Sequence, residues 1–403
     1  MEVTGLILIL GLIILCNAGG LGGGGNSTPF IAVFFNLSLI ECIPIGNFMG
    51  LISSLFRFII NFREKHPNNP NRLAIDYEII ELAMPVLYLG TLLGVQIGTK
   101  LKEIYLAVIF AILLFFLTYK TSKNAYKMIQ DENQKLKLRS QMDNQLNTKL
   151  IENDKIIKDT NDHEKKHIIE INSKHEQSSQ LQNILKQESQ HFTLRRCMNF
   201  ALNLMFLITT SMLLNSKDII RVSDYIKYGA VGLFIIYAVI YTFLISKSLQ
   251  RNYHIKRLGG YIFDKNDITY EKTNHLIKLI VLCFFCGILG GIVGIPGGII
   301  LAPMFIQLGM LPIIVSSTNQ YLALISSISV SFQYWYLGML NKQFIVALGI
   351  ICIIGCYIGL KIVQVKVKKS GRQSIIVVAL AIVLFASFFM IPVKYLLKNI
   401  APQ

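Results

Sequence analysis

Charge is scarce in this sequence. Asp, Glu, Lys and Arg make up 15% of its 403 residues and hydrophobic residues make up 53%, whereas soluble domains average about 25% charged residues. This composition excludes an ordinary soluble domain and predicts an all-α polytopic membrane protein, with the host membrane left open. The apolar runs long enough to be membrane helices include 80–98, 104–120, 198–214, 226–246, 276–294, 344–364 and 375–397.

Acidic residues are scarcer than basic ones, 23 against 39, which gives a net charge of +16. A basic stripe with interleaved aromatic residues is absent, so nucleic acid is not expected as a partner. The excess of Lys and Arg instead fits the cytosolic loops of a membrane protein.

Side chains arranged for catalysis or metal binding are also lacking. The seven histidines show no ligand spacing, and paired catalytic carboxylates and a nucleophile triad are absent. Cys283 and Cys286 form a CxxC inside a predicted membrane helix, where cysteine behaves as a small apolar residue. A redox enzyme would need a second cofactor signal. The sequence therefore predicts no enzyme, no cofactor and no metal.

The chain divides by composition into five predicted segments. They are a first transmembrane repeat (1–120), a polar cytosolic loop that is partly helical or disordered (121–196), two linking transmembrane helices (197–246), a cytosolic loop (247–275) and a second transmembrane repeat (276–403). The first apolar run lacks a preceding basic segment, which favours a first membrane helix over a cleaved signal peptide.

An internal repeat relates the two apolar parts. "GGLGGGGNSTPFIAVFF" near the start resembles "GIVGIPGGIILAPMFIQLG" at 291–309, and aligning Pro29 with Pro303 places glycines over glycines. "LISS" recurs at 51–54 and 324–327, and GxxxG recurs at 90–94 and 355–359. The fold prediction is therefore two homologous multi-helix repeats with glycine-broken helices, about ten spans and two short re-entrant helices.

The glycine-rich breaks are the candidate binding site. Unwound backbone at membrane depth persists only where it is buried in protein or lines a cavity, and matched breaks in two halves point to a transporter's binding site. Asn26, Ser27 and Thr28 are good N-cap residues, and Pro29 and Pro303 suit a first helical turn. The helix N-termini would then favour an anion. The alternative is that the glycines only permit close helix packing. The predicted substrate-binding residues are Gly23, Gly24, Gly25, Asn26, Ser27, Asn47, Gly297, Gly298, Ser317, Thr318 and Asn319.

Two charged residues in or near predicted spans have competing interpretations. Arg57 could bind an anion through both of its N–H edges; the interpretation favoured here is that it extends to the cytosolic interface, about one turn away. Glu81 could relay a proton, but a carboxylate that simply marks the start of a helix is the favoured interpretation.

The orientation predicted from basic loops is not consistent throughout. Loops 61–74 and 121–196 are both basic and are predicted to be cytosolic, which makes the turn at 99–103 external. The turn in the corresponding position of the second repeat, 366–373, would then be external although it is strongly basic. Either the rule is violated there or the two halves differ in topology.

The motifs together resemble one family. "GGLGGGGNSTP", "PIGNFMGLISSLFRFIINFREKHP", "AIDYEIIELAMPVLYLGTLLGV", "GGIVGIPGGIILAPMFIQLGMLP" and "GRQSIIVVALAIVL" look like the TauE/SafE sulfite-exporter family, an anion permease-like group, particularly its eukaryotic branch. The resemblance covers both apolar halves and not the polar loop. It implies a multi-pass transporter of small sulfur-containing anions such as sulfite or organosulfonates.

The predicted function is therefore transport of a small inorganic or organosulfur anion across a lipid bilayer, with the anion bound between the two breaks. Proton coupling and a homodimer are left open. The alternative is a non-transporting scaffold or receptor that uses loop 121–196 to bind partners.

Overall fold

The computed structural model describes residues 2–18, 22–152, 174–216, 223–261, 263, 264, 268, 270, 273–366 and 374–400. Residues 153–173 of the predicted polar loop 121–196 lie outside the described residues, as do residues 367–373 of the basic turn 366–373. Helices dominate the described chain, and its strands are the hairpin β1 (Lys65–His66) and β2 (Asn69–Leu73).

The first half contains five helices. They are α1 (Glu2–Ala18), α2 (Gly24–Phe34), α3 (Leu39–Asn61), α4 (Tyr77–Gly98) and α5 (Glu103–Glu152). Helix α5 has 50 residues and continues through the predicted boundary at 120 into the polar segment, because that segment is rich in helix formers and free of proline. The chain then forms α6 (Lys174–Glu188), α7 (Leu194–Leu214) and α8 (Asp224–Leu258).

The second half has the same order of elements. They are α9 (Thr273–Val293), α10 (Gly297–Gln307), α11 (Pro312–Tyr336), α12 (Lys342–Tyr357), which continues into the π-helical turn Ile358–Val363, and α13 (Ser374–Ile400). The seven runs proposed as spans fall in α4, α5, α7, α8, α9, α12 with its π-helical turn, and α13. Within the described residues nine helices are long and apolar enough to cross a membrane, and Val3–Ala18 is a shorter apolar helix.

The two halves are interleaved rather than side by side. Helix α4 packs along α9, and α1 packs along α12. Both contacts use the predicted GxxxG residues: a Cβ at Gly94 would touch the Ile288 backbone, and one at Gly359 would lie 2.6 Å from the Ile14 carbonyl oxygen. Helix pairs of this kind approach closely because small residues let the backbones meet.

Helix α3 crosses α11 in the antiparallel direction at the centre of the bundle. Asn47 near the start of α3 donates to Ser331 near the end of α11, and Asn61 at the end of α3 donates to Gln320 near the start of α11. These two helices carry the recurring LISS motif, and its residues Ser53, Ser326 and Ser327 are buried.

Contacts at the helix ends settle the orientation of the basic turn. We call the end of the bundle that carries residues 62–76 and the extension of α5 the basic side. The Ser374 backbone N–H, at the start of α13, donates to Glu132 of that extension at 2.9 Å, so α13 begins on the basic side. At the other end of the bundle, Lys394 near the end of α13 contacts Glu103 at 3.1 Å.

The turn between α12 and α13 therefore joins helix ends on the basic side. Of the two alternatives that the sequence left open, a violation of the positive-inside rule at this turn or a difference in topology between the halves, the helix contacts favour the second. If the two halves are repeats, they are inverted relative to each other; the repeat itself stays a prediction.

Candidate functional site

The two glycine breaks are in direct contact. Gly22 in the first break and Gly294 in the second have φ values of +74° and +68°, in the left-handed region that favours glycine. A Cβ at Gly25 would lie 2.6 Å from Ile295 Cγ1 and 2.8 Å from Ile295 Cα. The second break also touches α3, where a Cβ at Gly50 would lie 2.9 Å from the Pro296 ring. The breaks therefore meet beside the middle of α3.

Each short helix rests on the long helix that follows it. A Cβ at Gly24 would overlap backbone atoms of Gly46 and Gly50, and one at Gly298 would overlap backbone atoms of Asn319 and Ala323. Gly24 and Gly298 are 274 positions apart, as are Pro29 and Pro303. The residues that they contact correspond in the same way: Gly46 and Asn319 are 273 positions apart, and so are Gly50 and Ala323. This agreement supports the proposed repeat.

The predicted capping arrangement is wrong. Helix α2 begins at Gly24, Gly23 is its N-cap residue, and no side chain caps it. Asn26, Ser27 and Thr28 therefore lie inside the helix, and Ser27 Oγ donates back to the Gly24 carbonyl at 2.6 Å. Pro29 also lies beyond the first turn, and α10 likewise begins at Gly297, six residues before Pro303. Both short helices begin several residues before their prolines. Gly24 and Gly298 have no side chain, so the long helix that follows can pack against the first turn of each short helix; a larger residue there would block this contact.

Some predicted residues lie at the breaks, and others do not. Asn47 Nδ2 donates to Ser331 Oγ at 2.8 Å and joins α3 to α11. The Gly297 N–H donates to Ser326 Oγ at 3.0 Å. Asn319 is buried beneath Gly298, and its side-chain amide has no partner in the part of the chain that the structure describes.

Ser317 and Thr318 lie at the basic side. Ser317 Oγ donates to Glu64 at 3.2 Å, and Thr318 Oγ1 accepts the Asp76 backbone N–H at 2.9 Å. Asp76 caps α4 by accepting the Glu78 N–H at 3.0 Å, and burial raises the pKa of its carboxyl group. In this conformation Ser317 and Thr318 fasten the start of α11 to the neighbouring elements.

Arg57 points into the bundle. Its relative exposure is 3%, and its Nη1 lies 3.9 Å from the position that a Gly22 Cβ would occupy. The interpretation that it extends to the interface is therefore wrong. Within the described chain its Nε has no hydrogen-bond partner and its guanidinium forms no ion pair. The cation thus lies beside the first break, close to the N-terminus of α2, and the Glu64 carboxylate acts on it only at electrostatic range.

Ser53 and two cysteines form the wall next to Arg57. Ser53 Cβ lies 3.8 Å from the Gly22 Cβ position. Its hydroxyl contacts Cys352 Sγ at 3.2 Å and Cys356 Sγ at 3.4 Å. The sequence marked Ser53 only as part of the LISS repeat at 51–54 and gave Cys352 and Cys356 no role. Their spacing of four residues, which places both on one helix face, was the signal available.

Glu81 does not meet Arg57. Its carboxylate pairs with Arg196 Nε at 3.4 Å, and the Arg196 guanidinium lies 4.4 Å from the centre of the Tyr77 ring. Nearby, Lys256 pairs with Glu78 at 3.4 Å and with Glu188. These residues form a charged cluster on the basic side, separate from the breaks. Among the described residues there is no group of three or more His, Cys, Asp or Glu side chains placed to hold a metal.

Comparison with known proteins agrees with the resemblance found in the sequence. The profile of the family described as "Sulfite exporter TauE/SafE" matches residues 194–388. Sulfite exporter TauE/SafE family protein 2 of Arabidopsis thaliana is 24% identical over 409 aligned positions, which cover 96% of this chain and 82% of the relative. Family protein 1 of the same plant is 23% identical over 392 positions, with coverages of 93% and 79%.

A shorter match has a higher identity. Family protein 6 of Arabidopsis thaliana is 35% identical over 97 residues, 24% of this chain and 23% of the relative. No solved structure matches the chain. Together with the nine apolar helices, these matches identify an integral, multi-pass membrane protein, and the predicted resemblance is confirmed.

Proposed function

From the resemblance to the TauE/SafE family, we propose that this protein is a membrane transporter of small anions, sulfite or organosulfonate-like, and not an enzyme. Its relatives are named sulfite exporters. The proposed binding site lies between the two glycine breaks, beside Arg57, Ser53 and the N-terminus of α2.

The buried Arg57, whose guanidinium forms no ion pair within the described chain, carries this proposal. A buried charge without a direct partner is costly, and the positive end of a helix beside it adds to that cost rather than relieving it. A bound anion would satisfy both at once. The planar guanidinium presents two parallel N–H donors that fit oxyanions well, so a sulfite or sulfonate group is a suitable ligand.

The remaining contacts of the anion are assigned from position. Gly23, Gly24 and Gly25 supply backbone N–H groups at the start of α2, with Asn26 and Ser27 in the same turn. Asn26 would contribute through its Nδ2 donor, which contacts Cys16 Sγ at 3.8 Å in this conformation. Gly297, Gly298, Asn47 and Asn319 close the site from the second break and the α3–α11 crossing.

The structure corresponds to a closed arrangement, because Gly25 and Ile295 touch. In the proposed mechanism the α1–α2 and α9–α10 hairpins separate to admit the anion and close again around it. Each hairpin can move as a unit, because its short helix follows directly from the break. The inverted orientation of the halves would open the site to one side of the membrane at a time. Proton coupling and a homodimer stay predictions, as do the proposed domain bounds.

The alternative, a scaffold that uses residues 121–196 to bind partners, receives no support from the described end of that segment. Glu188 pairs with Lys256 of α8, and His191 Nδ1 lies 3.0 Å from the Tyr77 hydroxyl of α4. The end of the segment is therefore packed on the bundle itself.

The test is anion flux in proteoliposomes that contain the full chain. Arg57→Gln should lower sulfite flux by about 10- to 100-fold, since a hydrogen bond to a charged group contributes about 1.5–3 kcal/mol, and Arg57→Lys should fall between Arg57→Gln and wild type. Arg63→Gln is the matched control, because Arg63 is exposed just beyond α3, and it should transport normally. Wild-type flux from a folded Arg57→Gln protein would refute the site.

A further inference from the structure

We infer that the site selects singly charged oxyanions and rejects doubly charged ones. This inference rests on the proposed function and specifies its substrate class. Hydrogen sulfite and monosulfonates would be bound, whereas the sulfite dianion and sulfate would be excluded.

The charge available to the anion comes from one half of the protein. Aligning "LISS" at 51–54 with "LISS" at 324–327 places Arg57 over Val330. Val330 is buried, with 1% exposure. The second break therefore has no equivalent cation, and its nearby polar side chains, Ser326 and Asn319, are neutral.

A second cation is not available from elsewhere in the described interior. There, Arg57 and Lys256 are the buried cationic side chains, and Lys256 is paired with Glu78 and Glu188 on the basic side. The Glu64 carboxylate is within electrostatic range of Arg57 and adds negative potential. The site thus offers one full positive charge and the partial charges of the α2 and α10 N-termini, opposed by the Glu64 carboxylate.

Charge balance then decides the selectivity. One guanidinium and two helix N-termini worth about half a charge each, opposed by the Glu64 carboxylate, leave about one positive charge, which one negative charge neutralises. A dianion would keep much of its second charge uncompensated in the interior, near Glu64. At an effective dielectric constant of about 20, one unbalanced charge interaction at about 6 Å corresponds to about 100-fold in binding.

Sulfite is a useful substrate for this test because it titrates near neutral pH. Hydrogen sulfite has one charge, and the sulfite ion has two. Methanesulfonate stays singly charged throughout that range. Sulfate has nearly the same size and shape as methanesulfonate, with an oxygen anion where methanesulfonate has a methyl group, so the two differ mainly in charge.

The experiment measures uptake of labelled sulfite into proteoliposomes and its inhibition by methanesulfonate or sulfate. We expect methanesulfonate to inhibit at a concentration about 100-fold lower than sulfate. Sulfite uptake should fall by about tenfold for each pH unit above the pKa of hydrogen sulfite. Uptake of labelled methanesulfonate should stay constant over the same range.

The outcomes separate the two proposals. Equal inhibition by methanesulfonate and sulfate, with sulfite uptake intact, would overturn the charge selectivity and leave the transporter proposal standing. A parallel fall in methanesulfonate and sulfite uptake with pH would also overturn it, because the pH dependence would then belong to the protein. Absence of uptake of either anion by the folded protein would refute the proposed function instead.

Discussion

The contact between the two breaks makes Gly25 a position where one methyl group should have a large effect. In Gly25→Ala the new Cβ would lie 2.8 Å from Ile295 Cα and 2.6 Å from Ile295 Cγ1. The side-chain atom can rotate away, but the backbone atom cannot. The two breaks would have to separate by about 0.6 Å for the backbone contact to reach the 3.4 Å at which ordinary van der Waals contact begins.

Overpacking of this kind costs about 1–3 kcal/mol. Gly11→Ala is the matched control, since Gly11 lies in α1 of the same hairpin and its Cβ would meet nothing within 4 Å. That substitution should stabilise the helix by about 0.5–1 kcal/mol, because glycine is the more costly residue in a helix interior. The two variants should therefore differ by about 1.5–4 kcal/mol in the free energy of unfolding.

The assay is the loss of monodisperse protein in detergent after heating for a fixed time, measured by size-exclusion chromatography across a temperature series. Gly25→Ala should show the lower midpoint and Gly11→Ala a midpoint at or above that of wild type. A Gly25→Ala midpoint equal to that of Gly11→Ala would show that the breaks do not touch in the folded protein, and the closed arrangement would have to be abandoned.

Two further predictions concern the basic side. Lys256→Met removes a buried cation from the partly buried Glu78 and Glu188 carboxylates. It should destabilise the protein by about 3 kcal/mol, the lower end of the range for a fully buried pair. Lys227→Met on the same helix, where the ion pair has an exposed partner, should change the same thermal midpoint little; equal losses would contradict the assigned pairing of Lys256. Burial and the neighbouring Arg196 lower the pKa of His191. The neutral ring of His191 therefore holds residues 189–193 against the bundle fully above its ordinary pKa of about 6.5. This contribution is lost as the pH falls through the lowered pKa. Hydrogen exchange at residues 189–193, corrected for its intrinsic pH dependence, should therefore become faster in acid for the wild type. His191→Phe keeps a ring for stacking on Phe62 and should not show this acceleration. Identical pH profiles for the two proteins would refute this role of His191.

Composition and pattern predicted most of the fold. Low charge and long apolar runs identified the membrane class, and the runs lie within the observed helices. The breaks and both GxxxG segments were also found, because glycine runs in apolar sequence have few other physical explanations.

The errors all concern tertiary context. Arg57 was expected at the interface, because sequence spacing gives its distance from a loop but not the direction of its helix face. The cap residues were misplaced because glycines that accept a neighbouring backbone let α2 begin early. The side of the basic turn after α12 was left open, because the orientation of the second half depends on which helices are hairpins. The contact of Ser53 with Cys352 joins residues almost 300 positions apart, which no local pattern reveals.

The pairing of α4 with α9 also has a consequence for how the protein is made. The glycine face of α4 is complete at Gly98, but its partner begins at Thr273. At about 5–20 residues per second, synthesis of the intervening chain takes on the order of 10–35 seconds. During that interval α4 stands in the membrane with an unpartnered groove, as does α1 until α12 emerges. Neither half can finish folding before the ribosome has nearly finished the chain, so a truncated first half would be a poor surrogate for the whole protein.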